Sequence, residues 1–161
     1  RFNQFTFLAL PVVVPNSSTT IAVQYTGIDG ANIFAGTGEV GLATTEDDVD
    51  TYGFTYAMGP ITVGAQHSEI DKAAAASDLE TDMYGIAFAV NESLSISYNQ
   101  HDMTYKNNGG TADVDQESTG IAIAYTMGGA TLAVQNNSMD NVSGTAGTND
   151  EITEVSLSLA F

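Results

Sequence analysis

Apolar side chains alternate with small or polar ones along most of the chain. In residues 119–127, for example, Ile121, Ile123, Tyr125 and Met127 alternate with glycine, alanine and threonine. Because successive side chains of a strand point to opposite faces of a sheet, this period of two predicts strands that each have one apolar face. Apolar residues at helical spacing are almost absent, so the pattern predicts an all-β, antiparallel chain.

The alternation predicts nine strands and two kinds of connection. The strands cover residues 2–10, 18–27, 51–59, 61–69, 82–90, 94–104, 118–127, 130–139 and 152–161. Gly59-Pro60, Asn91-Glu92-Ser93 and Gly128-Gly129 separate neighbouring strands and are typical of tight hairpin turns. Long, polar connections occupy residues 28–50, 70–81, 105–117 and 139–151. If the strands run up and down, the tight turns lie at one end of the sheet and the long loops at the other.

Composition narrows the class of protein. The 161 residues include 20 acidic and 3 basic ones, a formal net charge of −17, which argues against a nucleic-acid partner because phosphate binding needs clustered Lys and Arg. Cysteine is absent, which excludes disulfides, thiol catalysis and cysteine-based zinc sites. A hydrophobic content of 43% predicts a folded chain. Its longest strongly apolar run, residues 7–14, is too short for a membrane-spanning helix, which needs about 20 residues.

Acidic residues concentrate at the predicted long-loop end. The candidates for an acidic loop region are Glu46, Asp47, Asp48, Asp50, Asp113, Asp115 and Glu117. Such acids have two interpretations: they gather cations at the mouth of a pore, or they keep an exposed surface solvated. Calcium could bridge the first four, but the ordered ligands and the glycine of an EF-hand loop are missing, so we predict no metal site and no cofactor.

The less apolar strand faces carry Gly, Ala, Ser, Thr, Gln and Asn, and the strand middles from Thr51 onward carry essentially no charge. Soluble β-sandwiches instead scatter Lys, Glu and Arg over their outward faces. A continuous apolar face, a small and polar opposite face, and aromatic residues near strand ends are typical of a transmembrane β-barrel.

Repeated units in the chain resemble a known family, the Gram-negative outer-membrane general porins of the alphaproteobacterial type. The resemblance is carried by Tyr52-Gly-Phe-Thr-Tyr-Ala-Met-Gly59, Tyr84-Gly-Ile-Ala-Phe-Ala-Val90 and Gly120-Ile-Ala-Ile-Ala-Tyr-Thr-Met-Gly128. The terminal Val155-Ser-Leu-Ser-Leu-Ala-Phe161 looks like the final barrel strand of the family, with Phe161 as its C-terminal aromatic residue.

This resemblance implies a water-filled barrel in the cell outer membrane. It also implies a homotrimer that contacts membrane lipid and lipopolysaccharide and lets ions and small hydrophilic solutes diffuse through. Porins of this type have about 16 strands. Nine strands in residues 1–161, treated as a single barrel domain, therefore lead us to expect the C-terminal portion of a longer porin. We see no inward-folded constriction loop in the sequence.

Alternation along a strand assigns odd and even positions to opposite faces, and we call this assignment the parity of a residue. Six polar residues have the parity of the less apolar face, which would form the pore wall: Gln24, Gln66, Asn99, His101, Gln135 and Glu154. They either touch permeating solutes or are polar filler on a wetted wall. The two histidines, His67 and His101, have opposite parities, which argues against a shared metal site or a catalytic pair. We therefore predict a channel that is not an enzyme, with a preference for cations.

Two alternatives stay open from the sequence. One is a complete eight-stranded outer-membrane barrel with a structural or adhesive role, in which the Phe5 segment lies outside the barrel. The interior of such a barrel must be filled by side chains, and Gly, Ala and Ser would fill it poorly. The other alternative is a secreted acidic β-sandwich that binds glycans or another protein.

Overall fold

The computed structural model of the protein describes residues 5–9, 19–42, 45–73, 78–107 and 112–159. Its strands are Phe5–Ala9 (β1), Thr19–Tyr25 (β2), Ala31–Leu42 (β3), Thr45–Met58 (β4), Ile61–Asp71 (β5), Asp78–Ala89 (β6), Leu94–Lys106 (β7), Val114–Met127 (β8), Ala130–Asp140 (β9) and Asp150–Leu159 (β10). A short 3₁₀ turn, Val142–Gly144, lies between β9 and β10. Within these ranges no helix is long and apolar enough to cross a bilayer.

All ten strands form one sheet, in which spatial order follows chain order. Every neighbouring pair is antiparallel, from the pairing of Phe5 with Tyr25 to that of Leu159 with Ala130. β1 and β10 are the two edges, and no pairing joins them among the described residues. The predicted all-β antiparallel architecture is confirmed, as one open sheet in the part of the chain that the structure describes.

The strand that the sequence pattern missed is β3, which lies inside the expected loop 28–50. Alternation is weak there, because Phe34 and Val40 share a face with two glycines, Gly36 and Gly38. Glycine is depleted in strands, since it has no side chain to pack. β3 instead pairs with β2 on one side and with β4 on the other, and this pairing extends it to twelve residues. The expected count of nine strands was therefore one too low.

The strands at the loop end are longer than the alternation indicated. β4 begins at Thr45, β6 at Asp78 and β8 at Val114, each in a segment that the sequence analysis treated as loop or loop border. The tight turns lie where the pattern placed them. Gly59 and Gly128 have φ of 57° and 60°, a left-handed conformation that favours glycine.

The sheet has two faces of different chemistry, here called the apolar face and the polar face. In β8 the apolar face carries Ile121, Ile123 and Tyr125, and the polar face carries the residues between them. Among the described residues no hydrophobic side chain is buried, and Met127, Val155 and Leu157 are 69%, 65% and 63% exposed. A β-sandwich would cover this face with a second sheet, so the described part of the chain does not form one.

The position of β1 also bears on the eight-stranded alternative. Residues 5–9 pair with β2 in full register, so the Phe5 segment belongs to the sheet instead of lying outside it. A ten-stranded open sheet is a different architecture from a closed barrel of eight strands. Phe161, the expected C-terminal barrel residue, lies outside the described residues.

Candidate functional site

The polar face brings together all six residues predicted for the pore wall. Continuous register places Gln24, Phe34, Gly53, Gln66, Met83 and His101 side by side across six strands. Asn99 lies on the same face two residues from His101, toward the turn end, and it pairs with Gly85 and Gly120. Gln135 is paired with Ala122 and with Glu154, again on this face. One extended wall therefore carries all six.

Polar side chains on this wall bond mainly to each other. Gln24 Nε2 donates to Asn32 Oδ1 at 2.8 Å, and Gln135 Nε2 donates to Glu154 Oε2 at 3.0 Å, each across a strand pair. Both bonds are exposed, so water can replace them at little cost. The wall is thus polar and wettable without being filled.

Glycine shapes the middle of the wall. A Cβ atom on Gly120 would lie 2.6 Å from Asn137 Oδ1 and closer still to Asn99 Oδ1, so the two amides converge over the glycine. Together with His101 and Met83, they line an open groove of about 430 Å³. Because Gly120 has no side chain, the amide oxygens of Asn99 and Asn137 can both occupy the space above it.

A loop covers part of the polar face at its loop end. Gln116, only 7% exposed, accepts a hydrogen bond from the backbone nitrogen of Ser143 at 2.7 Å. Gly144 lies against the ring of Tyr105. No inward-folded loop was predicted from the sequence, yet the connection between β9 and β10 folds over this face. Gly144 and Gly147 in this connection both adopt positive φ, as turn glycines do, but their presence in the sequence does not show which way the loop folds.

The seven acidic candidates lie mainly on strands, not in loops. Glu46, Asp47, Asp48 and Asp50 belong to β4, Asp115 and Glu117 belong to β8, and Asp113 directly precedes β8. Their polar character suggested loops, but ladder pairing with the neighbouring strands keeps these segments extended. Because strand side chains alternate, the acids divide between the two faces. Asp50 shares the face of Tyr52, and Asp47 the face of Thr51.

The large hydrophobic side chains of the apolar face, among them Phe54, Ile86, Ile96 and Ile123, form a hydrophobic band across the strands. Beyond this band, toward the loop end, the apolar face ends in a group of acids that we call the acidic rim. Its members share the loop end of this face: Asp50, Glu69, Glu80, Asp82, Asp102, Glu117 and Asp140. Glu69 pairs directly with Glu80, and Asp82 with Asp102. Like charges directly opposite each other are destabilising in a sheet, so this rim favours bound cations.

One lysine partly offsets the charge of the acidic rim. Lys106 Nζ forms an ion pair with Glu80 Oε2 and lies 3.9 Å from Glu69 Oε1. Lys106 is the last residue of β7, beyond the hydrophobic band. The hydrogen bond with Glu80, helped by the charges of Glu80, Glu69 and Asp113, raises the pKa of Lys106 above its ordinary value.

The surroundings of His67, at the border between the hydrophobic band and the acidic rim, were not predicted from the sequence. Its Nδ1 is 2.8 Å from Asp82 Oδ1, and its ring lies 5.1 Å from that of Tyr52, centroid to centroid. Residues 67 and 82 become neighbours only through the pairing of β5 with β6. No local motif could have indicated this contact, because the two residues belong to different strands.

Comparison with known proteins agrees with the fold. No protein-family model matches the chain, and no curated protein matches it in sequence. Among solved structures, the chain is similar to the outer-membrane expressed OmpT of Vibrio cholerae, with a TM-score of 0.61 and 12% sequence identity. The similarity covers 88% of this chain and 54% of that protein, so the chain spans about half of its length. The fold is therefore that of an outer-membrane β-barrel.

Proposed function

We propose that the chain is part of an outer-membrane porin, a passive channel through which ions and small hydrophilic solutes diffuse. The observation that carries this proposal is the exposure of most large hydrophobic side chains on the apolar face, with no buried hydrophobic side chain in the described ranges. Apolar surface of this extent needs a nonaqueous environment, and lipid supplies it. The opposite face, lined with Gly, Ala, Asn and Gln, suits contact with water.

Closure of the barrel follows from the chemistry of lipid. Unpaired backbone groups at the edge of a sheet are too costly in hydrocarbon, so β1 and β10 need partner strands in the membrane. We propose that further strands of the same protein supply them, giving a wide barrel whose lumen is the polar face. We also propose that three such barrels pack as a homotrimer, with lipid and lipopolysaccharide around them.

The charge of the wall favours cations in this proposal. Glu154 lies on the polar face, and the acids at the loop end surround the mouth. Negative charge raises the local concentration of cations and lowers that of anions. Because salt screens this effect beyond about 8 Å at physiological ionic strength, the preference is expected to be strongest in dilute salt.

We propose no catalytic role for the chain. The polar face does place Ser118 directly opposite His101. However, Ser118 Oγ is buried without a hydrogen-bond partner, so this serine is not coupled to a base. A serine nucleophile requires a base within hydrogen-bond reach. This geometry supports a wall position for both residues.

Planar-bilayer recording with the intact protein, purified in detergent and refolded into a barrel, tests the proposed function. We expect stepwise insertions, each adding a constant conductance that scales with bulk salt. Heat-sensitive electrophoretic mobility reports independently whether the barrel has folded. Folded, inserted protein that adds no conductance would contradict a diffusion channel while leaving the barrel fold intact.

A further inference from the structure

His67 lies where three potential metal ligands meet on the outward side of the sheet. One ring nitrogen of His67, one carboxylate oxygen of Asp82 and one carboxylate oxygen of Glu80 all lie within 4.8 Å of one another. Glu80 and Asp82 are on the same face of β6, two positions apart, and His67 is paired with Asp82 from β5. The cluster therefore joins two adjacent strands.

The hydrogen bond at Nδ1 orients the imidazole for metal binding. When Nδ1 donates its proton to Asp82 Oδ1 at 2.8 Å, the lone pair of the neutral ring is on Nε2. Nε2 faces Glu80 Oε1 across 4.0 Å. With metal–ligand bonds of about 2.0–2.2 Å, one ion between these atoms reaches both of them, and a small approach of the Glu80 side chain brings the angle at the ion toward the tetrahedral value. A carboxylate behind a metal-bound histidine is a recurrent arrangement that fixes the ring.

Neighbouring side chains hold this cluster in place. Lys106 pairs with Oε2 of Glu80, which leaves Oε1 directed toward the histidine. The ring of Tyr52 lies against the imidazole at an interplanar angle of 32°. His67 is only 20% exposed, whereas Asp82 is 40% exposed, so the cluster is partly shielded and still open to solvent on one side.

The surrounding charge also favours a cation here. Glu69 lies directly opposite Glu80, and Asp102 lies directly opposite Asp82. A single lysine ammonium faces this group of carboxylates, and a divalent ion would relieve the repulsion that remains. Histidine distinguishes this cluster from the rest of the acidic rim, because imidazole selects transition metals over Mg²⁺ and Ca²⁺.

We propose that His67, Glu80 and Asp82 form a binding site for a divalent transition-metal ion such as Zn²⁺. His67 Nε2 and Glu80 Oε1 bind the ion directly, Asp82 orients the histidine or adds a third ligand, and water fills the remaining positions. The site links β5 to β6 at the border between the hydrophobic band and the acidic rim. It depends only on these strands, and it does not require that the barrel conduct.

Calorimetric titration of ZnCl₂ into the intact, detergent-solubilised protein tests the site. The protein carries no histidine tag in this experiment, so that no added histidines compete with His67 and His101 for the metal. With excess Mg²⁺ present to occupy nonspecific carboxylates, we expect one Zn²⁺ per chain. His67→Ala is expected to abolish this binding, and Asp82→Asn to weaken it by about tenfold to hundredfold.

Two matched variants separate the site from general attraction to acids. His101→Ala removes the other histidine, on the opposite face, and Asp102→Asn removes the acid opposite Asp82. His101→Ala is expected to leave the Zn²⁺ affinity unchanged, and Asp102→Asn, which removes a neighbouring charge but no ligand, is expected to lower it far less than Asp82→Asn. If His67→Ala misfolds, Asp82→Asn still decides the matter. Undiminished binding in Asp82→Asn, equal loss in His101→Ala, or no stoichiometric binding by the wild type would each overturn the site. A conducting channel without Zn²⁺ binding would overturn this site alone.

Discussion

The two faces of β8 differ more than the two faces of a strand in a water-soluble protein do. On the apolar face Ile121, Ile123 and Tyr125 are 53%, 45% and 47% exposed, although they are among the most hydrophobic residues of the strand. On the other face, Gly120 and Ala122 lie beside asparagine and glutamine. Neighbouring strands thus cover only part of these larger hydrophobic side chains, and no second layer of protein covers the rest. In this account the surrounding lipid, instead of a protein core, covers the apolar side chains.

The largest expected effect comes from placing a charge on the apolar face. Ile123→Arg puts a guanidinium near the middle of the hydrophobic band, which should destabilise the barrel by about 2–4 kcal/mol. Ala122→Arg, one residue away on the polar face, should cost much less because the charge reaches water. Urea unfolding in lipid vesicles measures both. Equal costs at the two positions would mean that the faces do not differ in environment.

A smaller effect is expected from filling the space over Gly120. Gly120→Ala adds a methyl group where the amide oxygens of Asn99 and Asn137 converge, so it should cost about 1 kcal/mol, at the low end for overpacking. Gly85→Ala is the matched control, since the nearest atom to its new Cβ would be 3.8 Å away. The same unfolding assay compares the variants. A neutral Gly120→Ala would show that these amides move freely.

The smallest effect concerns ion selectivity. Glu154→Lys reverses a charge on the polar face and should shift the zero-current potential in a salt gradient toward anion preference. Asp102→Asn removes a charge on the opposite face and should shift that potential much less. The shift should shrink as ionic strength rises. If Asp102→Asn had the larger effect, the faces would be assigned the wrong way round.

Much of the fold could be predicted because period-two alternation is strong where one face meets an apolar environment. The alternation located β8 and the hairpin turn at Gly128-Gly129 without any structural information. β3 was not predictable in the same way. Its glycines and the reversed position of Phe34 obscure the alternation, and pairing with β2 and β4 determines its conformation.

The residues of the candidate site could be predicted only where strand parity alone decides which face a side chain occupies. Parity placed Gln66 and His101 on one face, and the register agrees. Contacts between strands were not predictable, since His67 and Asp82 meet through a pairing that no local motif encodes. The position of Ser143 over Gln116 likewise depends on how a loop folds back, which composition does not specify.

Solvent accessibility along β8 tests the central claim most directly. Because residues 1–161 contain no cysteine, a single cysteine introduced here is labelled without background from this part of the protein. In vesicles, a membrane-impermeant thiol reagent should react with Ala122→Cys and Ala124→Cys but not with Ile121→Cys and Ile123→Cys. The account predicts this alternation, with conductance reduced by the label at residues 122 and 124. Equal reaction at all four positions, or reaction at residues 121 and 123 alone, would contradict it.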